Sequence, residues 1–103
     1  MKGIVLDELV LVIDRTDTVG TAIADIPAGT RFATLDDTEV TVEQDIDFGH
    51  KLALERIEPA GTVRKYGESI GRATRPISPG EWVHTHNLES DRGRGDRRGG
   101  QHA

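Results

Sequence analysis

The hydrophobic positions of this chain occur in short runs, and none of the runs follows a helical repeat. The first run, Ile4–Asp14, is mostly apolar and rich in β-branched residues. Short runs of this composition, separated by polar breaks, favour strands over helices. We find no convincing amphipathic helix. The predicted strands are Ile4–Asp14, Gly20–Ile26, Phe32–Leu35, Glu39–Val42, Lys51–Arg56, Thr62–Lys65, Ser69–Ala73 and Trp82–His86, with a hairpin turn at Asp36-Asp37.

Three segments share one turn pattern. Residues 24–30, 55–62 and 75–81 each contain an apolar residue, a proline and a glycine ahead of a predicted strand. Proline fixes φ at a turn value and glycine accepts positive φ, so each segment predicts a tight turn between two strands. Three such turns in a short chain predict an all-β fold.

The length of 103 residues corresponds to one domain, since single domains commonly have about 100–150 residues. We assign residues 1–88 to this domain and residues 89–103, dominated by Gly, Arg and Asp, to a disordered tail. Aromatic residues make up only 4% of the chain, so the core must consist mainly of aliphatic side chains. A small aliphatic domain offers little scaffold for a deep active-site cavity. Catalysis by this chain alone is therefore disfavoured.

The net charge of −5 is unevenly distributed. Residues 1–48 contain three basic and eleven acidic side chains and carry −8, residues 49–88 carry +2, and residues 89–103 carry +1. Nucleic-acid binders are usually basic and offer aromatic side chains for stacking, so this class is disfavoured. The positive balance of the second half suits a small anion.

The sequence contains no cysteine, which excludes disulfides and thiolate metal sites and is compatible with a reducing cytoplasm. The N-terminal apolar run includes Asp7 and Glu8 and does not resemble a signal peptide. No apolar stretch approaches the ~20 residues that a membrane-spanning helix needs. We therefore predict a soluble, cytoplasmic protein.

Two glycine-containing loops carry candidate ligand-binding residues. Gly49-His50-Lys51 precedes a predicted strand, where a carboxylate would gain a charge-assisted bond from the ammonium group and a second bond from the imidazole. The alternative is a solvated loop. In the second loop, whose tip we place at Glu68-Ser69, Lys65 and Tyr66 could face a ligand or a partner. The alternative there is that the tyrosine packs in the core.

The third candidate is His84-Thr85-His86-Asn87. Alternate residues of a strand lie on one face, so a strand through this segment would place His84 and His86 side by side. Two imidazoles could bind zinc, iron or manganese, although a stable site needs a third or fourth ligand. The alternative is that both histidines are exposed or make structural hydrogen bonds.

Together these residues form a more specific pattern than any of them alone. The pattern comprises Phe48-Gly49-His50-Lys51-Leu52-Ala53-Leu54, Pro59-Ala60-Gly61, Val63, Lys65-Tyr66-Gly67, Ile70-Gly71-Arg72-Ala73, Ile77, Pro79-Gly80 and Trp82-Val83-His84-Thr85-His86-Asn87-Leu88. It resembles the SAF module of the altronate/galactarate dehydratase family. The resemblance implies a β-clip fold, which is a compact arrangement of short bent hairpins.

The resemblance also implies a function. The chain would be the small subunit of a sugar-acid dehydratase, a hydro-lyase that removes water from an aldonate or aldarate together with a large catalytic subunit. Divalent iron or manganese would belong to that large subunit, and no cofactor is assigned to this chain. The motif positions expected to face the substrate or the partner are His50, Lys51, Lys65, Tyr66, His84, His86 and Asn87.

Two other functions fit the same residues. The chain could be the small subunit of a sulfolactate sulfo-lyase, which the same family includes, or a stand-alone module that binds sugar acids. Free hairpin edges also make pairing with a second copy of the chain an expectation.

Overall fold

The computed structural model describes residues 3–91, and the regular elements among them are ten short strands. They are β1 (Ile4–Leu6), β2 (Val10–Val12), β3 (Val19–Ala22), β4 (Arg31–Ala33), β5 (Glu39–Thr41), β6 (Lys51–Ala53), β7 (Thr62–Lys65), β8 (Glu68–Ala73), β9 (Trp82–Val83) and β10 (Leu88–Ser90). All neighbouring strands are antiparallel. The predicted all-β class is confirmed. Within residues 3–91, no helix has the length and apolar character that crossing a membrane requires.

The strands form three sheets. One has five strands in the order β1-β2-β3-β6-β9, one has three strands in the order β10-β8-β7, and β4 pairs with β5. The β4-β5 hairpin was predicted from the Asp36-Asp37 turn, and the strand Thr62–Lys65 was predicted with its observed bounds. The five-stranded sheet therefore has β1 and β9 as its two edge strands.

The predicted strand Ile4–Asp14 is wrong, because the chain reverses in its middle. Asp7 and Glu8 have positive φ values of 49° and 64° and connect β1 to β2. Aspartate tolerates this left-handed conformation better than most residues, and the Asp7 carboxylate accepts a hydrogen bond of 2.9 Å from the N–H of Ala33. The acidic pair inside the apolar run is thus a turn signal.

The C-terminal strands also differ from the prediction. The predicted strand Trp82–His86 ends at Val83, and a turn follows it. The chain then returns as β10, whose residues Leu88–Ser90 pair with β8. Glu89 and Ser90, which we had assigned to the tail, therefore belong to a strand, and the tail from residue 92 onward lies outside the described residues.

Two hydrophobic cores lie on opposite faces of the five-stranded sheet. The adjacent residues Leu52 and Ala53 of β6 are both fully buried and contribute to different cores, as expected for successive strand positions. The β4-β5 hairpin contributes to the first core and the three-stranded sheet to the second. The first core contains Leu6, Val10, Val12, Ala22, Ile26, Phe32, Val40, Val42, Ile46, Leu52 and Leu54. The second contains Val19, Ala53, Ile57, Val63, Ala73, Ile77 and Val83.

The backbone consists of two similar halves. An isolated antiparallel bridge joins Ile26 to Ile46, and a second joins Ile57 to Ile77, each residue 31 positions after its counterpart. In each bridge the two residues exchange backbone hydrogen bonds of 2.8–2.9 Å, and the bonds around the bridges repeat with the same shift. Strand β6 ends the first half and begins the second, so the halves share it.

The two halves satisfy their turn N–H groups differently. In the first half, the carboxylate of Asp45 accepts a hydrogen bond of 2.9 Å from Ala28, and that of Asp25 accepts one of 2.8 Å from Phe48. Proline has no N–H and therefore needs no such acceptor. The equivalent positions of the second half are Pro59 and Pro79.

The glycine signals used to predict the turns were partly misplaced. Gly80 has a φ of 84°, and a Cβ there would lie only 2.0 Å from the carbonyl oxygen of Thr41, so both conformation and space require glycine. In the preceding turn, however, Ala60 has the positive φ, at 66°. The Pro-Ala-Gly runs at 27–29 and 59–61 begin 32 residues apart, whereas the backbone repeats after 31 residues. The runs therefore do not occupy equivalent positions in the two halves.

The Asp45 carboxylate and the Ala28 N–H provide a test of this difference. Asp45→Ala is expected to lower the free energy of unfolding by about 0.5–1.5 kcal/mol, because the N–H loses its acceptor. In an Ala28→Pro background the same substitution should cost much less, since no N–H is left to satisfy. Chemical denaturation of the unmodified chain, the two single variants and the double variant measures this coupling, with Asp47→Ala as the control. Equal losses in both backgrounds would show that the carboxylate acts through another contact.

Candidate functional site

Four aromatic side chains form a cluster that we call the imidazole–indole cluster: His50, Trp82, His84 and His86. The Trp82 and His84 rings stack at 5.2 Å between centroids with an interplanar angle of 8°. The His86 ring lies 5.0 Å and the His50 ring 5.6 Å from Trp82, and the His50 and His84 rings are 6.1 Å apart. The structure thus brings together the three predicted histidines, with tryptophan in contact with all three.

The pairing of β6 with β9 explains the cluster. Lys51 pairs with Val83 and Leu52 with Trp82, so His50, one position before β6, comes opposite the residue after β9. Trp82 is partly buried against the first core, whereas His84 and His86 are exposed. The indole therefore anchors the imidazoles to the fold.

The surroundings of the cluster are open and partly acidic. A cavity of about 100 Å³ beside it is lined by Asp45, Ile46, Asp47, His50 and Trp82. The buried Trp82 Nε1 has no hydrogen-bond partner among the described residues. The cluster thus offers three imidazoles at a shallow surface, and the indole N–H is buried beneath it.

The prediction that Asn87 faces a substrate or partner is wrong. Its side chain is 0% exposed, its Oδ1 accepts a hydrogen bond of 2.9 Å from the N–H of His84, and its Nδ2 donates one of 2.8 Å to the carbonyl of Trp82. The amide closes the turn that ends β9, so the predicted strand stops before the histidines. Asn87 therefore holds the turn that carries them.

Lys51, Lys65 and Tyr66 form a second group, which we call the lysine cluster. Lys51 is half-buried at the start of β6, and the Lys65 Nζ lies 4.6 Å from the centroid of the Tyr66 ring. Burial lowers the pKa of Lys51, the positive charge of Lys65 lowers it further, and Tyr66 raises it. Lys65 and Tyr66 are therefore in direct contact, and the charge of Lys65 acts on Lys51.

The turn that carries Tyr66 is held by a buried carboxylate. Tyr66 and Gly67 have positive φ values of 59° and 76° and form the two-residue loop between β7 and β8, so the predicted tip at Glu68-Ser69 is wrong. Positive φ at both loop residues is typical of a type I′ turn. Asp17, only 5% exposed, accepts hydrogen bonds from the N–H groups of Tyr66 at 3.1 Å and Gly67 at 2.8 Å.

The two clusters lie on opposite faces of the sheet. Side chains alternate along a strand, so Lys51 lies on the face of Val83 and the second core, and His50 on the face of Trp82 and the first core. The predicted single carboxylate site at His50 and Lys51 is therefore divided between two surfaces.

The structure gives no support for a metal centre on His84 and His86. Among residues 3–91, no three His, Asp or Glu side chains are arranged to hold a metal ion. Protein-held iron or manganese needs more than two side-chain ligands or open positions filled by another molecule. The donor set of the described residues therefore does not fit a resident metal, and no step is assigned to one.

Sequence reasoning missed Trp82 and Asp17 as site residues. Trp82 is the only tryptophan of the chain and precedes two histidines at alternate positions, which is a signal in itself. Asp17 gives no local signal, because its partners lie about fifty residues away.

A separate open cavity of about 450 Å³, lined among others by Asp17, Leu35 and Arg56, contains none of the seven predicted residues.

The profile of the altronate/galactarate dehydratase SAF domain matches residues 8–91, and the chain therefore belongs to this family. This confirms the resemblance found in the sequence. Altronate dehydratase of Escherichia coli K12 is 40% identical over 79 residues, which are 77% of this chain and 16% of that enzyme. Galactarate dehydratase (L-threo-forming) of the same organism is 41% identical over 70 residues, 66% of this chain and 13% of that enzyme. The chain thus spans a small part of these dehydratases.

A third relative is much shorter. The (2R)-sulfolactate sulfo-lyase subunit alpha of Paracoccus pantotrophus is 41% identical over 56 residues, which are 54% of this chain and 84% of that subunit. The same domain therefore occurs both within long enzymes and as most of a protein named as a subunit.

Asn87→Ala is expected to lower the free energy of unfolding by about 2–3 kcal/mol, because the partly buried His84 N–H and Trp82 carbonyl lose their partners. Thr85→Ala, at an exposed position of the same turn, should change it by less than about 0.5 kcal/mol. Urea denaturation followed by the fluorescence of Trp82, the only tryptophan, measures both. Similar small losses would show that Asn87 does not hold the turn.

Lys51→Met is expected to stabilise the fold at neutral pH. A lysine whose pKa is lower in the folded than in the unfolded chain costs stability below its folded pKa, because the charged form is better solvated after unfolding. This cost falls as pH rises through the folded pKa, so the advantage of methionine should shrink at alkaline pH. Denaturation of the unmodified chain and the variant at neutral and at alkaline pH tests this, with Arg31→Met as a control at an exposed position. A destabilised variant would contradict it.

Proposed function

We propose that this chain is the small, accessory unit of a sugar-acid hydro-lyase and that it works with a large catalytic partner. The observation that carries the proposal is how much of each relative the chain covers. The matching segment is a small part of the two dehydratases and most of the sulfo-lyase subunit alpha. Such a domain is suited to act beside a larger catalytic part.

The geometry of the imidazole–indole cluster supports this proposal. His84 and His86 are exposed, and the adjoining cavity, of about 100 Å³, is too small to enclose a sugar acid. An elimination reaction proceeds best where water is excluded, so a second surface must close over the cluster. Because the cluster lies at the edge strand β9, a partner can approach it without displacing another strand.

The proposed reaction is loss of water from an aldonate or aldarate such as altronate or galactarate. A base of the partner removes the proton from the carbon next to the carboxylate, and the hydroxyl on the following carbon takes up a proton and leaves as water. The resulting enol rearranges to a 2-keto-3-deoxy acid. We assign donation of the proton to the leaving hydroxyl to His50 and His84, whose rings are 6.1 Å apart, because this is a common role of imidazole. By the resemblance, divalent iron or manganese belongs to the partner.

A sulfo-lyase is the second candidate. The observation that favours it is the 84% coverage of the sulfolactate sulfo-lyase subunit alpha. The same proton removal would then be followed by cleavage of a carbon–sulfur bond, with sulfite as the leaving group. The leaving group differs, and because sulfite can leave as an anion, this reaction would not require the imidazoles to donate a proton.

Co-expression with a candidate large subunit tests the proposal. The two chains should co-purify, and the complex should turn over one of altronate, galactarate and sulfolactate, whereas this chain alone should not. The product, a keto acid with water or with sulfite, identifies the reaction. Full activity of the large subunit alone would refute an accessory role. Tight binding of a sugar acid without any partner complex would favour the stand-alone module.

Variants at the two sheet edges locate the partner surface. His84→Gln removes an exposed imidazole next to β9 and should lower turnover of the complex by about a hundredfold or more, because general acid catalysis contributes ~10²–10⁴-fold. Val5→Thr changes the 50% exposed Val5 on the opposite edge strand β1 and should have no effect. A loss of turnover in Val5→Thr but not in His84→Gln would indicate that the partner binds at β1 instead of β9, which would contradict this mechanism.

A further inference from the structure

Strand β1 is an edge of the five-stranded sheet, and its outer side has no partner strand within residues 3–91. Two other edge strands have backbone groups bonded outside their ladders. In β7 the N–H of Arg64 donates to the hydroxyl of Thr18 at 3.0 Å, and in β9 the N–H of Trp82 donates to the side-chain oxygen of Gln44 at 3.2 Å. No loop or side chain of the described region binds the backbone of residues 4 and 5. The outer edge of β1 is therefore open.

The side chains of β1 are apolar and exposed. Ile4 is 37% and Val5 50% exposed, and neither belongs to a core. Edge strands of soluble proteins usually carry a charge, a proline or a bulge that prevents pairing with another chain. The three residues of β1, Ile4–Leu6, include none of these, and their register with β2 is regular. This edge is therefore not protected against pairing.

The apolar surface continues from β1 onto β2. Val5 is paired with Leu11, and Leu11 and Ile13 lie on the same face, partly buried but outside both cores. The family profile begins at residue 8, so β1 precedes the part of the chain that the family shares. Contiguous exposed apolar surface commonly marks an interaction site. The position of this surface indicates an interaction that belongs to this chain and not to the shared domain.

Few registers allow β1 to pair with β1 of a second copy. A two-fold axis perpendicular to the sheet makes the strands antiparallel and sets one residue opposite itself. An axis at Leu6 would set Val5 opposite Asp7, and an axis at Ile4 would set Val5 opposite Gly3. An axis at Val5 sets Val5 opposite itself and Ile4 opposite Leu6. Only this last register places every β1 side chain against an apolar one.

We propose that the chain forms a homodimer through β1, with Val5 at the two-fold axis, so that the five-stranded sheets of two copies join into one. Ile4 then packs against Leu6 of the second copy. The register also brings the basic Lys2 toward the acidic Glu8 of the second copy, a favourable cross-strand pair. Because the contact is small, the dimer is weak, with a dissociation constant in the micromolar range. The two β9 edges lie at the outer ends of the joined sheet and stay accessible.

A charge exchange at the axis tests the register by sedimentation equilibrium of the isolated chain. Val5→Lys and Val5→Glu each set two like charges opposite each other and should weaken the dimer about tenfold or more. An equimolar mixture of the two variants should associate again, because opposite charges then meet. Phe48→Lys, at a residue that is 66% exposed outside β1, should leave the dimer unchanged. Circular dichroism shows whether each variant is folded.

Cross-linking provides a second test. The chain contains no cysteine, so Val5→Cys introduces a single thiol. Directly opposite residues of antiparallel strands have Cα atoms ~4.5–5.5 Å apart, a distance that a disulfide spans. Mild oxidation should therefore convert Val5→Cys into a covalent dimer. Leu35→Cys, at an exposed apolar residue of the β4-β5 turn, should stay monomeric under the same conditions.

Any of four results would overturn the proposal. The first is an unmodified chain that is monomeric at about 1 mM, where even a weak dimer is populated. The second is a Val5→Lys or Val5→Glu variant that dimerises as well as the unmodified chain. The third is a mixture of these two folded variants that does not associate, and the fourth is equal cross-linking of Val5→Cys and Leu35→Cys. None of these measurements involves a large subunit, so the result is independent of the proposed function.

Discussion

Strand β6 is buried on both of its faces, and the positions of both clusters depend on this constraint. Leu52 belongs to the first core and Ala53 to the second, so a shift of one residue would move both into the wrong surroundings. His50 and Lys51 come directly before this pair, so their side chains alternate between the same two faces. The imidazole therefore joins Trp82 on one face, while the ammonium group lies on the other.

The repeat of two halves around β6 also bears on the charge of the chain. In the first half Asp25 and Asp45 accept hydrogen bonds from turn N–H groups, so part of its acidity is structural. The second half has Pro59 and Pro79 at the positions of those donors and needs no carboxylates there. This half can consequently carry a net positive charge without weakening its turns. The difference in charge between the halves thus has, in part, a backbone cause.

The sequence predicted what local signals determine. The all-β class, the β4-β5 hairpin and β7 follow from β-branched residues and from turn residues next to them. The repeat was missed because the turn at residues 45–50 lacks a proline and the Pro-Ala-Gly runs are out of step. Alternation alone separates the adjacent His50 and Lys51. The contact of His50 with Trp82, in contrast, depends on pairing between residues about thirty positions apart, which local signals do not reveal. A soluble, cytoplasmic location and the nature of the tail stay predictions.

Departures from local preference are concentrated at the lysine cluster. The backbone of Tyr66 has a positive φ, which asparagine would adopt with less strain. Burial lowers the pKa of Lys51, a cost in stability that an apolar residue at this position would avoid. A single substitution would relieve either cost, so neither is imposed by the fold. Sequences usually violate such rules where a site needs them.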